Sequence, residues 1–257
     1  MSEFKRLMVN SINNDINWSN CSELFDNYLI LKNKKPLIPK VIHQIWLGGE
    51  LPEKYIRLIN TIKLNNPNYI HKLWTDTDVI DYHLKNRELY NKTLNFGGKA
   101  DILRYEILNN EGGIYLDTDF IALKSFDEIL TDNLEFFTSC GHVEIPECFN
   151  GLIGSIPNHP IIQSVVDGLN PEIKVDDLAS MYYNIGPQYF SKYFFEYLYL
   201  NLDKNIVLFP TVYFYSYPAI ERFQTKDNEF NEPHYSKIMS YTTNESIVVH
   251  LWHTSWM

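Results

Sequence analysis

The chain has 257 residues, 45% of them hydrophobic and 21% charged, and a formal net charge of −10. That length buries one sizeable core, and the composition excludes an intrinsically disordered chain. The acidic balance disfavours a nucleic-acid or anionic-membrane surface as partner, although a local basic pocket can still hold a phosphate.

In chain order, residues 1–37 are polar with helical stretches and include the turn-prone Asn33-Lys34-Lys35-Pro36. They are expected to form an N-terminal helical appendage, with residues 38–257 as a single domain. The opening stretch lacks the apolar run of a signal peptide, and no later run approaches a transmembrane segment. Cys21, Cys140 and Cys148 form neither a Cys-x-x-Cys pair nor an even framework. Both observations point to the cytoplasm.

Residues 40–47 (KVIHQIWL) read as a buried strand closed by Gly48-Gly49. Residues 53–65 repeat apolar positions at helical spacing and stop before Pro67. A second strand is expected over 69–75 and a mostly polar helix over 78–94. Residues 99–110 (KADILRYEILNN) predict an amphipathic helix, ended by Gly112-Gly113, where glycine suits a left-handed cap. IYLDTDFIAL (114–123) follows as a strand. Strands alternating with helices predict an α/β fold with a largely parallel sheet flanked by helices. Further strands are expected at 136–140, 152–155, 206–210, 212–216 and 246–252. The aromatic-rich stretch 176–202 reads as helical, broken at Gly186-Pro187.

The densest chemistry lies in Gly112-Gly113-Ile114-Tyr115-Leu116-Asp117-Thr118-Asp119. Side chains two apart on a strand share a side, so Asp117 and Asp119 are expected to converge. Adjacent carboxylates repel unless a cation or proton lies between them. Mg²⁺ or Mn²⁺ takes one or two carboxylates and completes its shell with phosphate and water oxygens. A bare Asp-x-Asp is also a common backbone-capping turn. The double glycine, the apolar strand and the preceding helix favour the metal reading.

Asp101 and Arg104, three apart on that helix, share a face. They form either an ordinary intrahelical ion pair or a ligand contact, with Asp101 on a hydroxyl and Arg104, whose planar fork suits bidentate contacts, on a sugar or phosphate group. Gln44 and Trp46 precede the first glycine pair. There Trp46 is either a base-stacking ring or a core residue. The C-terminal HLWHTSW is unusually aromatic for a chain end, and His250 is a plausible third metal ligand. The NTPase, dinucleotide, zinc-protease and hydrolase signatures are absent.

Together, IPKVIHQIWLGG, ADILRYEILNNEGGIYLDTD and HLWHTSW resemble the DxD sugar transferases numbered 32 among glycosyltransferase families. The resemblance runs from about residue 38 to the C-terminus. It implies a GT-A (Rossmann-like) fold, a nucleotide-diphosphate sugar donor, a divalent metal and a retaining mechanism. By position it makes Asp101, Arg104, Asp117 and Asp119 catalytic. Its donor-binding set is Gln44, Trp46, Asp101, Arg104, Tyr115, Asp117, Asn150, Ser255 and Trp256, and its metal ligands are Asp117, Asp119 and His250. The family tail often has His at 251, where this chain has Leu251 followed by Trp252 and His253, so either His250 or His253 serves as ligand.

The expected reaction moves a hexose, from a UDP-sugar by preference, to a glycan, lipid or protein acceptor with Mn²⁺ or Mg²⁺. A nucleotide-sugar hydrolase, a nucleotidyltransferase and a non-catalytic sugar-nucleotide binding module are the alternatives.

Overall fold

The computed structural model describes residues 2–8, 16–30, 36–131, 133–141, 147–201, 205–223 and 232–253. Two helices, α1 (Glu3–Arg6) and α2 (Ile16–Ile30), lay Phe4, Trp18, Phe25 and Tyr28 into the same core as the sheet. Phe25 and Tyr28 meet Phe209 at ring-centroid distances of 6.0 and 5.0 Å. A fully buried side chain of this kind contributes roughly 1.5–3 kcal/mol. A helix as short as α1 is therefore held by packing rather than by propensity.

β1 (Val41–Ile45), α3 (Glu53–Asn65) and β2 (Ile70–Trp74) follow as predicted. The register Val41↔Ile70 to Ile45↔Trp74 makes the strands parallel and ends them together. α3 turns Tyr55, Leu58, Ile59 and Ile62 inward, the spacing of one helical face. The helix expected over 78–94 is instead two short ones, α4 (Asp76–Ile80) and α5 (Arg87–Lys92). The cause of the break is a carboxylate from another helix. The N–H groups of Lys85 and Asn86 donate to the Glu106 carboxylate at 3.1 and 2.8 Å, outside any helical ladder. α6 (Phe96–Glu111) begins earlier than expected because the Asn95 side chain accepts the Gly98 N–H at 3.1 Å.

Gly113 then turns the chain into β3 (Gly113–Leu116) with φ of 102°. A Cβ there would fall 2.7 Å from the Val41 carbonyl and 3.0 Å from His43 Nε2, so backbone angle and close packing both require glycine. The single strand expected over 114–123 is broken at the Asp117–Asp119 turn, after which β4 (Phe120–Ala122) enters a separate sheet. The remaining elements are β5 (Phe136–Cys140), β6 (Cys148–Ser155), α7 (Pro160–Gly168), α8 (Leu178–Asn184), α9 (Pro187–Leu200), β7 (Ile206–Phe209), α10 (Glu232–Met239) and β8 (Val248–His250). Neither α7 nor α10 was predicted. The α8–α9 break falls at Gly186-Pro187, as the sequence indicated.

The main sheet runs β2-β1-β3-β6-β5-β7. β2, β1 and β3 are mutually parallel, β6 is antiparallel to both β3 and β5, and β5 is parallel to β7. β4 and β8 form a two-stranded antiparallel sheet, with Phe120 opposite His250. The strand expected at 212–216 is absent, and a 3₁₀ turn spans Thr211–Tyr213 instead. Pro210 offers no N–H to a ladder there, and the Tyr213 and Phe214 carbonyls accept single bonds from Ile247 and His250. Among the described residues, no helix is long and apolar enough to cross a membrane.

Candidate active site

A cavity of about 520 Å³ opens where β1 and β3 end, and Trp46, Asp101, Arg104, Asp117, Asp119 and His250 all line it. This is the crevice beyond the carboxyl ends of parallel strands, where α/β sheets hold ligands. Two backbone bonds fix the Asp117–Asp119 turn. Asp117 N–H donates to the Gly151 carbonyl at 2.9 Å, and Leu251 N–H donates to the Asp119 carbonyl at 3.0 Å. The two carboxylates therefore converge across a turn between two sheets, rather than along one strand as the sequence reading had it.

β8 delivers His250 to that pair. Its Nε2 lies 3.1 Å from Asp119 Oδ1 and 3.9 Å from Asp117 Oδ2. One ligand atom from each of Asp117, Asp119 and His250 lies within 4.8 Å of the others, and neither His250 ring nitrogen completes a hydrogen bond. Two hard carboxylate oxygens and one imidazole nitrogen, converging with Asp119 and His250 buried and Asp117 partly so, fit a divalent cation such as Mn²⁺ or Mg²⁺.

Electrostatics separate the two acids. Burial, reinforced by Asp119 and opposed by Arg104, raises Asp117 above the ordinary carboxylate range. Burial would raise Asp119 as well, but His250 and His253 outweigh it and hold the group low.

α6 supplies the neighbouring cation. Arg104 is buried, with NH2 3.1 Å from Asp101 Oδ1 and 3.2 Å from Asp117 Oδ1. Its NH1 donates to the Asn150 carbonyl at 2.7 Å, and its guanidinium lies 4.5 Å from the Tyr115 ring centre. The Tyr115 hydroxyl donates to Asp117 Oδ1 at 2.6 Å. A buried cation with two carboxylates, a carbonyl and an aromatic face stays charged. Asp101 is raised to about 6, chiefly by burial, with Arg104 opposing.

Asn150 sits beneath this pair. Its Nδ2 donates to Asp101 Oδ1 and contacts the Tyr105 hydroxyl, both at 2.8 Å, so it steadies Asp101. Gln44 braces the turn from below, donating to the Asp117 carbonyl at 3.3 Å. Trp46 stands at the cavity wall, its Nε1 donating to the Glu50 carbonyl at 3.2 Å and its ring 4.7 Å from that of Tyr55. Ser255 and Trp256 lie outside the described residues.

Of the two tail histidines, His250 presents its ring to the carboxylates. His253 instead contributes a backbone N–H, donated to Asp119 Oδ2 at 2.7 Å. The sequence reading passed over Gly151 and Tyr215. A Cβ on Gly151 would fall 2.8 Å from Asp117 Oδ2, and an isolated glycine in a strand pattern is the signal that should have marked that approach. Tyr215 packs edge-on against His250 at 5.4 Å and lines the cavity, and nothing in its aromatic-rich surroundings singled it out.

Residues 52–135 match the family described as a glycosyltransferase sugar-binding region containing a DXD motif. The uncharacterized glycosyltransferase L373 of Acanthamoeba polyphaga mimivirus is 30% identical over 230 residues, covering 86% of this chain and 84% of that protein. Inositol phosphoceramide mannosyltransferase 3 of Schizosaccharomyces pombe is 28% identical over 175 residues, covering 64% of this chain and 47% of that one. The chain thus spans about half the length of that fungal relative. The PaToxG glycosyltransferase superposes with a TM-score of 0.54 at 21% identity, over 69% of this chain and 76% of that one, a likeness of fold. The chain belongs to the DXD-motif glycosyltransferases and carries their GT-A fold.

Proposed function

We propose that this DXD glycosyltransferase moves a hexose from a nucleotide-diphosphate sugar, a UDP-sugar by preference, to a hydroxyl of a glycan, lipid or protein acceptor, with retained anomeric configuration. The observation that carries the reading is the convergence of Asp117, Asp119 and His250 in one cavity, with Arg104 held against Asp117. These three residues would hold Mn²⁺ or Mg²⁺, which when bound supplies Lewis-acid stabilisation of the leaving diphosphate. Arg104 adds a fixed positive charge beside the same position, preorganised by its own partners before any substrate arrives.

Asp101 and Asn150 offer hydrogen-bonding groups to the sugar and ribose, and Trp46 a face to the base. The Asp101 carboxylate is engaged by Arg104 and Asn150, which suits it to orienting hydroxyls rather than to nucleophilic attack. Front-face attack, with the leaving phosphate taking the acceptor's proton, is the retaining route consistent with that arrangement. The cytoplasm is the proposed compartment, in keeping with three buried cysteines that form no disulfide.

The test is a panel of UDP- and GDP-sugars with Mn²⁺, scored for nucleoside-diphosphate release with and without acceptor hydroxyl compounds. GDP-mannose belongs in the panel because a fungal relative is named a mannosyltransferase. Release that depends on the acceptor supports transfer. Equal release without one identifies a hydrolase, and pyrophosphate as product identifies a nucleotidyltransferase.

A further inference from the structure

We propose that Asp76 is a positioning residue for the donor's base: it tethers the Gly48-Gly49 turn against Phe96 and so sets the slot that Trp46 walls on its other side. The inference rests on the reading of Trp46 as the base-facing aromatic.

Its starting point is strand register. Ile45 pairs with Trp74, and Trp46 N–H donates to the Trp74 carbonyl at 2.8 Å, so β1 and β2 leave the sheet side by side. Two residues further along each strand, Gly48 N–H donates to Asp76 Oδ2 at 2.8 Å. Capping of α4 does not occupy Asp76, because Asp78 Oδ2 already accepts the Thr75 N–H at 2.8 Å. The Asp76 carboxylate is left to reach across to the glycine turn.

That turn needs holding. Gly48 and Gly49 have φ of 88° and 119°, and two consecutive glycines leave the backbone many alternatives. Asp76 fixes one side of Gly48 and Phe96 covers another, since a Cβ on Gly48 would fall 2.3 Å from Phe96 Cε2. Phe96 is 43% exposed and lines the cavity together with Trp46 and Leu47. An open aromatic face in a cavity wall is a platform for a planar ring. Trp46 is already braced through Glu50 and Tyr55. The glycine turn is therefore the adjustable part of the wall, and Asp76 is what removes its freedom. Its effect falls on the nucleoside half of the donor, away from the transferred sugar.

The test measures UDP and GDP binding by isothermal titration calorimetry in Mn²⁺, alongside donor KM and kcat. Asp76→Ala is expected to weaken diphosphate binding and raise donor KM about fivefold at unchanged kcat, the scale of one lost hydrogen bond. Asp76→Asn keeps an acceptor oxygen and is expected to stay within about twofold of wild type. Unchanged binding in Asp76→Ala, a loss confined to kcat, or equal weakening in Asp76→Asn each overturns the proposal. So does loss of the fold in Asp76→Ala, which would make the role structural. Trp46→Ala run in parallel separates the two ideas. If it binds normally, the base reading itself is wrong; if only Asp76→Ala binds normally, this inference alone fails.

Discussion

The backbone N–H of His253 donates to Asp119 Oδ2 at 2.7 Å, so the C-terminal segment clasps the carboxylate that His250 faces from the other oxygen. Leu251 N–H holds the Asp119 carbonyl as well. Trp252 lies between these two bonds with φ of 60°, an angle uncommon outside glycine, which turns the chain so that both donors meet one residue.

This clasp separates the two histidines experimentally. His250→Ala removes a proposed ligand and is expected to raise the Mn²⁺ concentration for half-maximal activity at least about tenfold, the scale seen even for residues behind the ligands. His253→Ala keeps its N–H and is expected to titrate close to wild type. Asp119→Asn should lower turnover roughly 10³-fold with the fold intact. Identical Mn²⁺ titrations for His250→Ala and wild type would refute the ligand assignment.

Arg104 is expected to matter for stability as well as rate. Arg104→Met leaves the partly buried Asp101 and Asp117 without their cation, a loss approaching the roughly 3–5 kcal/mol of a fully buried pair in denaturant unfolding. The Asp101→Asn/Arg104→Met double variant should recover part of that, because one buried charge is removed with its partner. A single variant as stable as wild type would mean that the pair is held for chemistry alone.

Among the described residues Trp46 makes a ring contact with Tyr55, and it is only partly buried, so its truncation should spare the fold. Trp46→Ala is expected to raise donor KM by the equivalent of roughly 1–3 kcal/mol, by analogy with base-stacking platforms, with a smaller change in kcat. An insoluble or unfolded product would instead assign Trp46 to the core.

His43 makes stability fall in mild acid. It is fully buried, its Nε2 donates to the Gly112 carbonyl at 2.9 Å, and its Nδ1 accepts from Trp74 at 3.1 Å, which fixes the neutral ring. Burial lowers its pKa to about 4. The unfolded imidazole takes up a proton near pH 6.5 while the folded one does not, so the contribution is complete above pH 6.5 and shrinks as pH falls towards 4. At pH 5 the loss is about 2 kcal/mol. His43→Gln should therefore lose about that much less than wild type between pH 7 and 5, read from urea midpoints. Parallel pH profiles for the two proteins would count against it.

The local pattern of the sequence determined the strands around Gly48 and Gly113, the inward face of α3, the helix carrying Asp101 and Arg104, and the place of the Asp-Thr-Asp motif. These are short-range matters of periodicity, glycine conformation and side-chain spacing. Where the pattern failed, a distant group had taken over the backbone. Glu106 drew off the N–H groups of Lys85 and Asn86 and split a helix. Gly151 and Leu251 held the ends of the Asp117–Asp119 turn and parted one expected strand into two sheets. The site itself was legible as a set of residue types but not as an arrangement. Which histidine faces the carboxylates, which acid is raised and which lowered, and where the Arg104 cation rests all depend on separate chain segments meeting at one cavity, 46 residues apart for Arg104 and Asn150 and 134 for Asp119 and His253. Burial and charge at that meeting point act through space, and only the tertiary structure brings those groups within reach of one another.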